Sequence, residues 1–213
     1  MIAASGNALM ARQETIIRLR RSALPYDTIE LARFLIGATL VRQLPDLQLI
    51  GRIVETEAYP TGDASCHAFR GETRRNRSLF LKRGHSYVYL NYGLFHLLNV
   101  SSESAGIGAG VLIRAIEPLA GMAEMSRRRG TNRITDLTRG PGRLTEAMGI
   151  DLSFDGIDLI SAEALWLGRP VRRAVEIGES VRIGISREAH QLRRFYECGN
   201  PFVSGPKGLN SGV

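Results

Sequence analysis

The stretch Ile53-Val54-Glu55-Thr56-Glu57-Ala58-Tyr59 constrains this chain more than any other. Its β-branched residues run without a breaker until Pro60, which predicts a strand. Side chains alternate along a strand, so Glu55, Glu57 and Tyr59 are expected on one face and Val54, Thr56 and Ala58 on the other. The first face carries two carboxylates and an aromatic where the strand meets a Pro/Gly/Asp loop. Strand ends present chemistry from a rigid scaffold. The same pattern also fits a half-exposed edge with solvated acids, and the flanking sequence decides between the two.

Asp27 is placed to cap a helix carrying the stripe Leu31, Phe34 and Leu35, which Gly37 ends. Strands are predicted over 39–42 and 47–59, joined by a Pro45-Asp46 turn. Residues 60–77 form a long loop with Arg70, Arg74, Arg75 and Arg77; so long a loop in a compact domain is usually functional or disordered. A strand over 86–90 puts Tyr87 and Tyr89 on one face, and Asn91-Tyr92-Gly93 is a turn with an aromatic at its tip. Strands follow at 97–101 and 111–116, the second with Leu112, Arg114 and Ile116 on a common face. An arginine inside an apolar strand needs a partner or a pocket. Helices are predicted over 119–129 and from Gly140-Pro141-Gly142-Arg143 to Met148, and late strands over 180–185 and 195–196. Residues 1–24 read as a loosely attached arm, 25–203 as one domain and 204–213 as a flexible tail. With no repeat and no linker, one domain is the simplest organisation.

Composition removes several function classes. No apolar run is long enough for a membrane span, and residues 1–10 make a poor signal peptide. Cys66 and Cys198 make neither a disulfide framework nor a CxxC site, so a reduced, cytoplasmic setting is the default. The net charge of +7 points to an anionic partner, nucleic acid first. Gly106-Ile107-Gly108-Ala109-Gly110 is followed by a strand pattern, not by the helix that a dinucleotide loop needs, and reads as a hairpin turn. Cys66, His67, Glu55 and Glu57 lack helical zinc spacing, which makes a metal centre the weaker reading. Tyr59, His67, Tyr89 and Tyr92 as separate residues suit packing. As a group beside a carboxylate and an arginine-rich loop, they suit stacking on an unstacked base.

In order along the chain, Arg52–Tyr59, His67, Arg75-Asn76-Arg77, Tyr87-Val88-Tyr89, Tyr92-Gly93, Asn99-Val100-Ser101-Ser102 and Leu112–Pro118 closely resemble the alkyladenine (3-methyladenine) DNA glycosylase family. The resemblance runs from about Leu31 through Gly140–Leu144 to Arg194-Phe195-Tyr196. It implies an α+β fold, a single domain on a curved, mainly antiparallel sheet, and excision of alkylated purines from double-stranded DNA. It implies Glu57 as general base. It further implies that Tyr59, His67 and Tyr89 sandwich the flipped base, that Asn99 lies at the pocket floor, and that Leu112 and Arg114 lie beside the nucleotide. On the same resemblance Tyr92 is expected to fill the gap left in the duplex, and Arg75, Arg77, Gly142 and Arg143 are expected to contact DNA. The loop around His67 is slightly shorter than in vertebrate members, and Gly142 stands where those have Ser.

The expected enzyme is a monomeric, cytoplasmic glycosylase that needs no cofactor and no metal. Of 28 basic residues only Lys82 and Lys207 are lysine, and neither falls in these motifs. Strand cleavage through a Schiff base needs an amine, so the expected enzyme is monofunctional and leaves an abasic site. A non-catalytic nucleic-acid binding module and a metal-dependent hydrolase using Glu55, Glu57 and His67 remain as alternatives.

Overall fold

Strand β2 (Gln48–Tyr59) is the spine of the computed structural model, which describes residues 16–172 and 176–210. Along one edge it pairs with β5 (Gly110–Ala120). Its other edge is shared: the first half pairs with β1 (Thr39–Gln43), and Glu55–Glu57 pair with β8 (Arg194–Glu197). The sheet continues outward from β5 through β4 (Phe95–Ser101) to β3 (Ser86–Asn91). On the other side β1 leads to β6 (Leu165–Gly168) and β8 to β7 (Ile177–Ser180). Every pairing is antiparallel. The sheet curls over one main core and carries four α-helices among the described residues, so the class is α+β as expected.

Helix α1 (Thr28–Leu35) starts where Asp27 accepts from the amides of Ile29 and Glu30, both at 2.9 Å. It buries Leu31, Ala32 and Leu35 in the main core, and Phe34 packs at the margin. Each such leucine contributes about 1.5–3 kcal/mol. Helix α2 (Met122–Arg129) starts later than the sequence suggests, because β5 runs on to Ala120 and Gly121 (φ 77°) turns the chain. The short α3 (Ile134–Leu137) leads to α4 (Pro141–Met148), which has proline in its first turn.

The β2–β5 ladder slips twice beside the acidic residues. Ile53 pairs with Ile116, Glu55 with Ala115, and Thr56 with Ile113. Val54 is thus the extra residue on β2 and Arg114 the extra residue on β5, a compensating pair of bulges. Each reverses the inside–outside alternation. Two expectations are corrected. Ile116 does not share a face with Leu112 and Arg114; it lies in the main core. Val54 does not accompany Ala58; it packs with Ala115, Tyr196, Phe202 and Val203.

The ends also differ from expectation. Residues 1–15 and 211–213 of the proposed arm and tail lie outside the described residues. Residues 16–24 lie along β6: Leu19 N–H donates to Leu167 O (2.9 Å), and the Arg18 guanidinium lies 4.2 Å from the Trp166 ring centre. Residues 204–210 return to the sheet, where Leu209 O and Asn210 Oδ1 accept from buried Arg194. The run 181–185 leaves the sheet after Ser180 instead of forming a strand.

Candidate active site

A cavity of about 410 Å³ opens where β2, β5 and the β3–β4 hairpin meet the loop 60–77, the start of α4 and residues 183–185. Glu57, Tyr59, His67, Tyr89, Tyr92, Asn99, Leu112 and Arg114 all border it. Leu112 pairs directly with Glu57 across the β2–β5 ladder and Arg114 lies two residues further along β5, so both face the same space as Glu57.

One wall is aromatic. Tyr87 and Tyr89 stack with centroids 5.3 Å apart and planes at 25°. His67 meets Tyr89 edge-on at 4.5 Å, and its Nδ1 lies 2.8 Å from the Tyr87 hydroxyl. Burial, helped by the charge of Arg75, lowers the His67 pKa, so the ring is neutral near pH 7. Burial and the nearby Glu57 push Tyr89 up to about 12. Asn76, buried, ties this loop down. Its Nδ2 donates to His67 O (2.9 Å) and Gly71 O (3.0 Å), while its Oδ1 accepts from Thr73 N–H (2.6 Å). Asn99 Nδ2 donates to Tyr87 O at 3.2 Å.

Glu57 borders the same cavity. Its Oε1 accepts from Ile183 N–H (2.8 Å) and faces Arg114 Nη1 (3.1 Å); its Oε2 accepts from the Tyr59 hydroxyl (2.9 Å). Glu57 has 0% solvent exposure although it borders the cavity. The Tyr59 hydroxyl is the group that covers Oε2. Burial, together with the charge of Glu57 and this hydrogen bond, raises the Tyr59 pKa far above that of an ordinary tyrosine.

Glu55 does a different job. It accepts from Arg114 Nε (2.9 Å), Arg194 Nε (2.7 Å), Ser204 N–H (2.7 Å) and Ser204 Oγ (3.0 Å). Burial alone would raise its pKa. The charges of Arg114 and Arg194 and the hydrogen bonds of Arg194 and Ser204 outweigh that and hold it below the ordinary value. Both acids have both oxygens engaged; what separates them is that Glu57 borders the cavity and Glu55 does not. Two carboxylates and two guanidiniums thus interlock, Glu57 and Arg114 at the cavity and Glu55 and Arg194 behind it, and Arg114 is the member that touches both acids.

A second buried pair fixes the near wall. Arg182 is bonded to Asp63, donates to Ala58 O (2.9 Å) and lies 4.7 Å from the Tyr59 ring centre. Asp63 also accepts from Arg193 (2.8 Å) and from Ser65 N–H (2.8 Å). Burial opposes ionisation of Asp63, but the bonds from Arg182 and Ser65 prevail and lower its pKa.

Tyr92 stands at the rim, 90% exposed. Its φ of 49° and the 71° of Gly93, with Leu94 N–H donating to Asn91 O (3.0 Å), make a type I′ turn. A non-glycine residue in that conformation is uncommon. Arg75 is exposed at the rim, its guanidinium 5.9 Å from the Tyr89 ring centre. Arg77 lies outside the cavity, in a shallow groove with Ser78 and Asp155. Arg143 is half-exposed and faces Asp136 at 3.6 Å. At Gly142 a Cβ would sit 2.9 Å from Phe95, so the hairpin packs where a side chain would stand.

Sequence reading missed Ser65, Cys66, Leu97, Ile183, Gly184 and Ile185 on the cavity, and Arg182 and Arg194 behind it. Gly184, in the run Val181-Arg182-Ile183-Gly184-Ile185, was the available signal that this stretch leaves the ladder.

The family model described as methylpurine-DNA glycosylase (MPG) matches residues 22–201. Three relatives are provisionally named 3-methyladenine DNA glycosylases. The one from Mesorhizobium japonicum is 56% identical over 206 residues, covering 94% of this chain and 99% of the relative. The one from Paraburkholderia phytofirmans is 54% identical over 197 residues, with 92% of each chain covered. The one from Rubrobacter xylanophilus is 46% identical over 178 residues, covering 83% of this chain and 92% of the relative. The chain belongs to the methylpurine-DNA glycosylase family, and is with it a DNA glycosylase, a hydrolase of N-glycosyl bonds.

Proposed function

We propose that this enzyme binds double-stranded DNA, turns a damaged purine out of the stack into the cavity and hydrolyses its N-glycosyl bond, leaving an abasic site. The observation that carries the reading is Glu57, held by Ile183 N–H and Arg114 at one wall of a cavity whose other surfaces are Tyr59, His67 and Tyr89. At about 410 Å³ the cavity is in the small-ligand range of roughly 300–1,000 Å³.

Arg75, Arg77, Arg143 and the backbone at Gly142 contact phosphates and set register without reading sequence. Tyr92, exposed at the hairpin tip, enters the stack behind the departing base. The purine slides between Tyr59 and the His67/Tyr89 wall, above Asn99 and beside Leu112. Its arrival displaces the Tyr59 hydroxyl from Glu57 Oε2, where a water takes its place. Glu57 accepts a proton from that water as the oxygen bonds to C1′, and the N-glycosyl electron pair leaves with the base. The carboxylate also favours the cationic character that develops on the sugar.

A purine alkylated to a cation leaves neutral and needs no strong acid. Aromatic faces attract such a ring, and a neutral His67 does not repel it. Neither Lys82 nor Lys207 borders the cavity, which supports a monofunctional enzyme. We take it to act as a cytoplasmic monomer.

The test is a release assay on duplexes carrying 3-methyladenine, 7-methylguanine, hypoxanthine or ethenoadenine, beside an undamaged control. Release of at least one lesion with an alkali-labile, uncut strand is expected, and borohydride should trap no adduct. Failure to release any of the four would overturn the reading.

A further inference from the structure

We infer that residues 204–210 form a strap that positions Arg114, and through it Glu57, with Ser204 as the positioning residue. The family match stops at residue 201, so this segment lies beyond it. The inference rests on the reading of Glu57 as the base.

Ser204 is buried and makes contacts in three directions. Its N–H donates to Glu55 Oε2 (2.7 Å), its hydroxyl donates to Glu55 Oε1 (3.0 Å), and its Oγ accepts from Arg114 Nη2 (3.3 Å). Its carbonyl accepts from Arg194 Nη2 (2.9 Å) and from Asn210 Nδ2 (3.2 Å). Asn210 Oδ1 and Leu209 O accept from Arg194 at 2.7 and 3.1 Å. The segment therefore clasps Arg194 from two sides, and Arg194 in turn donates to Glu55.

Removing the segment has a defined geometric consequence. Glu55 Oε2 loses the Ser204 N–H, and Arg194 loses three acceptors and keeps Glu55 and Ser180. Arg114 loses its Nη2 partner and is left held by Glu55 and Glu57 alone. Two like-charged acids two residues apart on β2 depend on that guanidinium standing between them. A buried charge with incomplete partners moves or draws in water. A shift of about 1 Å in a catalytic group can cost about 10²-fold in rate, and Arg114 Nη1 is only 3.1 Å from Glu57.

Four proteins decide the matter: the full chain, one ending at Asn210, one ending at Val203, and full-length Ser204→Ala. Each is assayed by single-turnover release from duplex DNA methylated with dimethyl sulfate, by Kd for a duplex with a tetrahydrofuran abasic analogue, and by Tm. The assay temperature is well below every Tm. Release by the full chain and its loss in Glu57→Gln establish the underlying reading independently of the strap. Given those, ending the chain at Asn210 should leave the rate within about twofold of the full chain, within the usual range of neutral surface changes. Ending it at Val203 should lower the rate between about ten- and a hundredfold, and Ser204→Ala by a smaller factor, because its backbone N–H remains. Kd should stay within about threefold, since the strap lies behind the cavity. A folded Val203-ended protein with the rate of the full chain overturns the inference. So does a rate that falls only in proportion to a weakened Kd, which would mean general loosening. If the Val203-ended chain does not fold, Ser204→Ala decides alone, and an unchanged rate overturns the strap.

Discussion

Replacing Glu57 by Gln separates chemistry from architecture. Three donors hold the carboxylate: Ile183 N–H, Arg114 and the Tyr59 hydroxyl. A glutamine keeps a carbonyl oxygen where Oε1 stands, facing the first two. Its NH2 group then lies where Oε2 stood, 2.9 Å from the Tyr59 oxygen. A hydroxyl hydrogen rotates freely and its oxygen can accept, so that contact survives with donor and acceptor exchanged. What is lost is the charge facing Arg114, about 1.5–3 kcal/mol for a charge-assisted bond. At about 2–4 °C per kcal/mol for a chain of this size, Tm should fall by roughly 3–12 °C. The rate should fall far more. A general base contributes about 10²–10⁴-fold, and electrostatic stabilisation of the transition state adds to it. A drop of at least about 10³-fold, about 4 kcal/mol in barrier, is expected. The assay is single-turnover excision from a labelled lesion duplex with enzyme in excess, with affinity for an abasic-site duplex measured in parallel. A folded Glu57→Gln enzyme that keeps more than a tenth of the wild-type rate would remove Glu57 from the mechanism.

Other outcomes follow from the same geometry. Tyr92→Ala should leave stability within about 0.5 kcal/mol, as expected for an exposed side chain, yet slow excision from duplex DNA more than from single strands; equal slowing on both would argue against a wedge. Arg75→Ala and Arg77→Ala should weaken binding to all duplexes alike, each reducing the slope of log K against log salt by about one; an unchanged slope would place that arginine off the phosphates. The pKa of Asp63 is depressed in the fold, so the folded state binds its proton less tightly than the unfolded chain. Its stabilisation is therefore complete above the ordinary aspartate value near 4 and is lost as pH falls through the depressed one. Asp63→Asn should lower stability at pH 7 by on the order of 3–5 kcal/mol, read as a fall in Tm of roughly 6–20 °C, since Arg182 is left buried without its counter-charge. The variant should also lose less stability than wild type on acidification, and parallel Tm–pH curves would refute this.

Much of the scaffold was legible in local pattern. Asp27, the leucines of α1, the alternation around Tyr87 and Tyr89 and the Asn91–Gly93 turn each depend on neighbours within a few residues, and such signals survive in a one-dimensional string. The cavity residues were legible chiefly through the ordered run of motifs, because Glu57, His67, Tyr89, Asn99 and Arg114 are each unremarkable alone. Ile116 and Val54 were misplaced because strict alternation fails where one strand carries an extra residue. Nothing in Val54 or Arg114 as residue types announces a bulge.

The sequence by itself determined an acid at a strand end, flat side chains to face it and a basic loop for an anionic partner, because these follow from residue chemistry and short-range spacing. Only the tertiary structure decided which of two neighbouring acids stands at the cavity and which is locked behind it. Glu55 and Glu57 have the same side chain on the same strand. They differ because Arg194 and Ser204, 139 and 149 residues further along the chain, reach one of them and not the other.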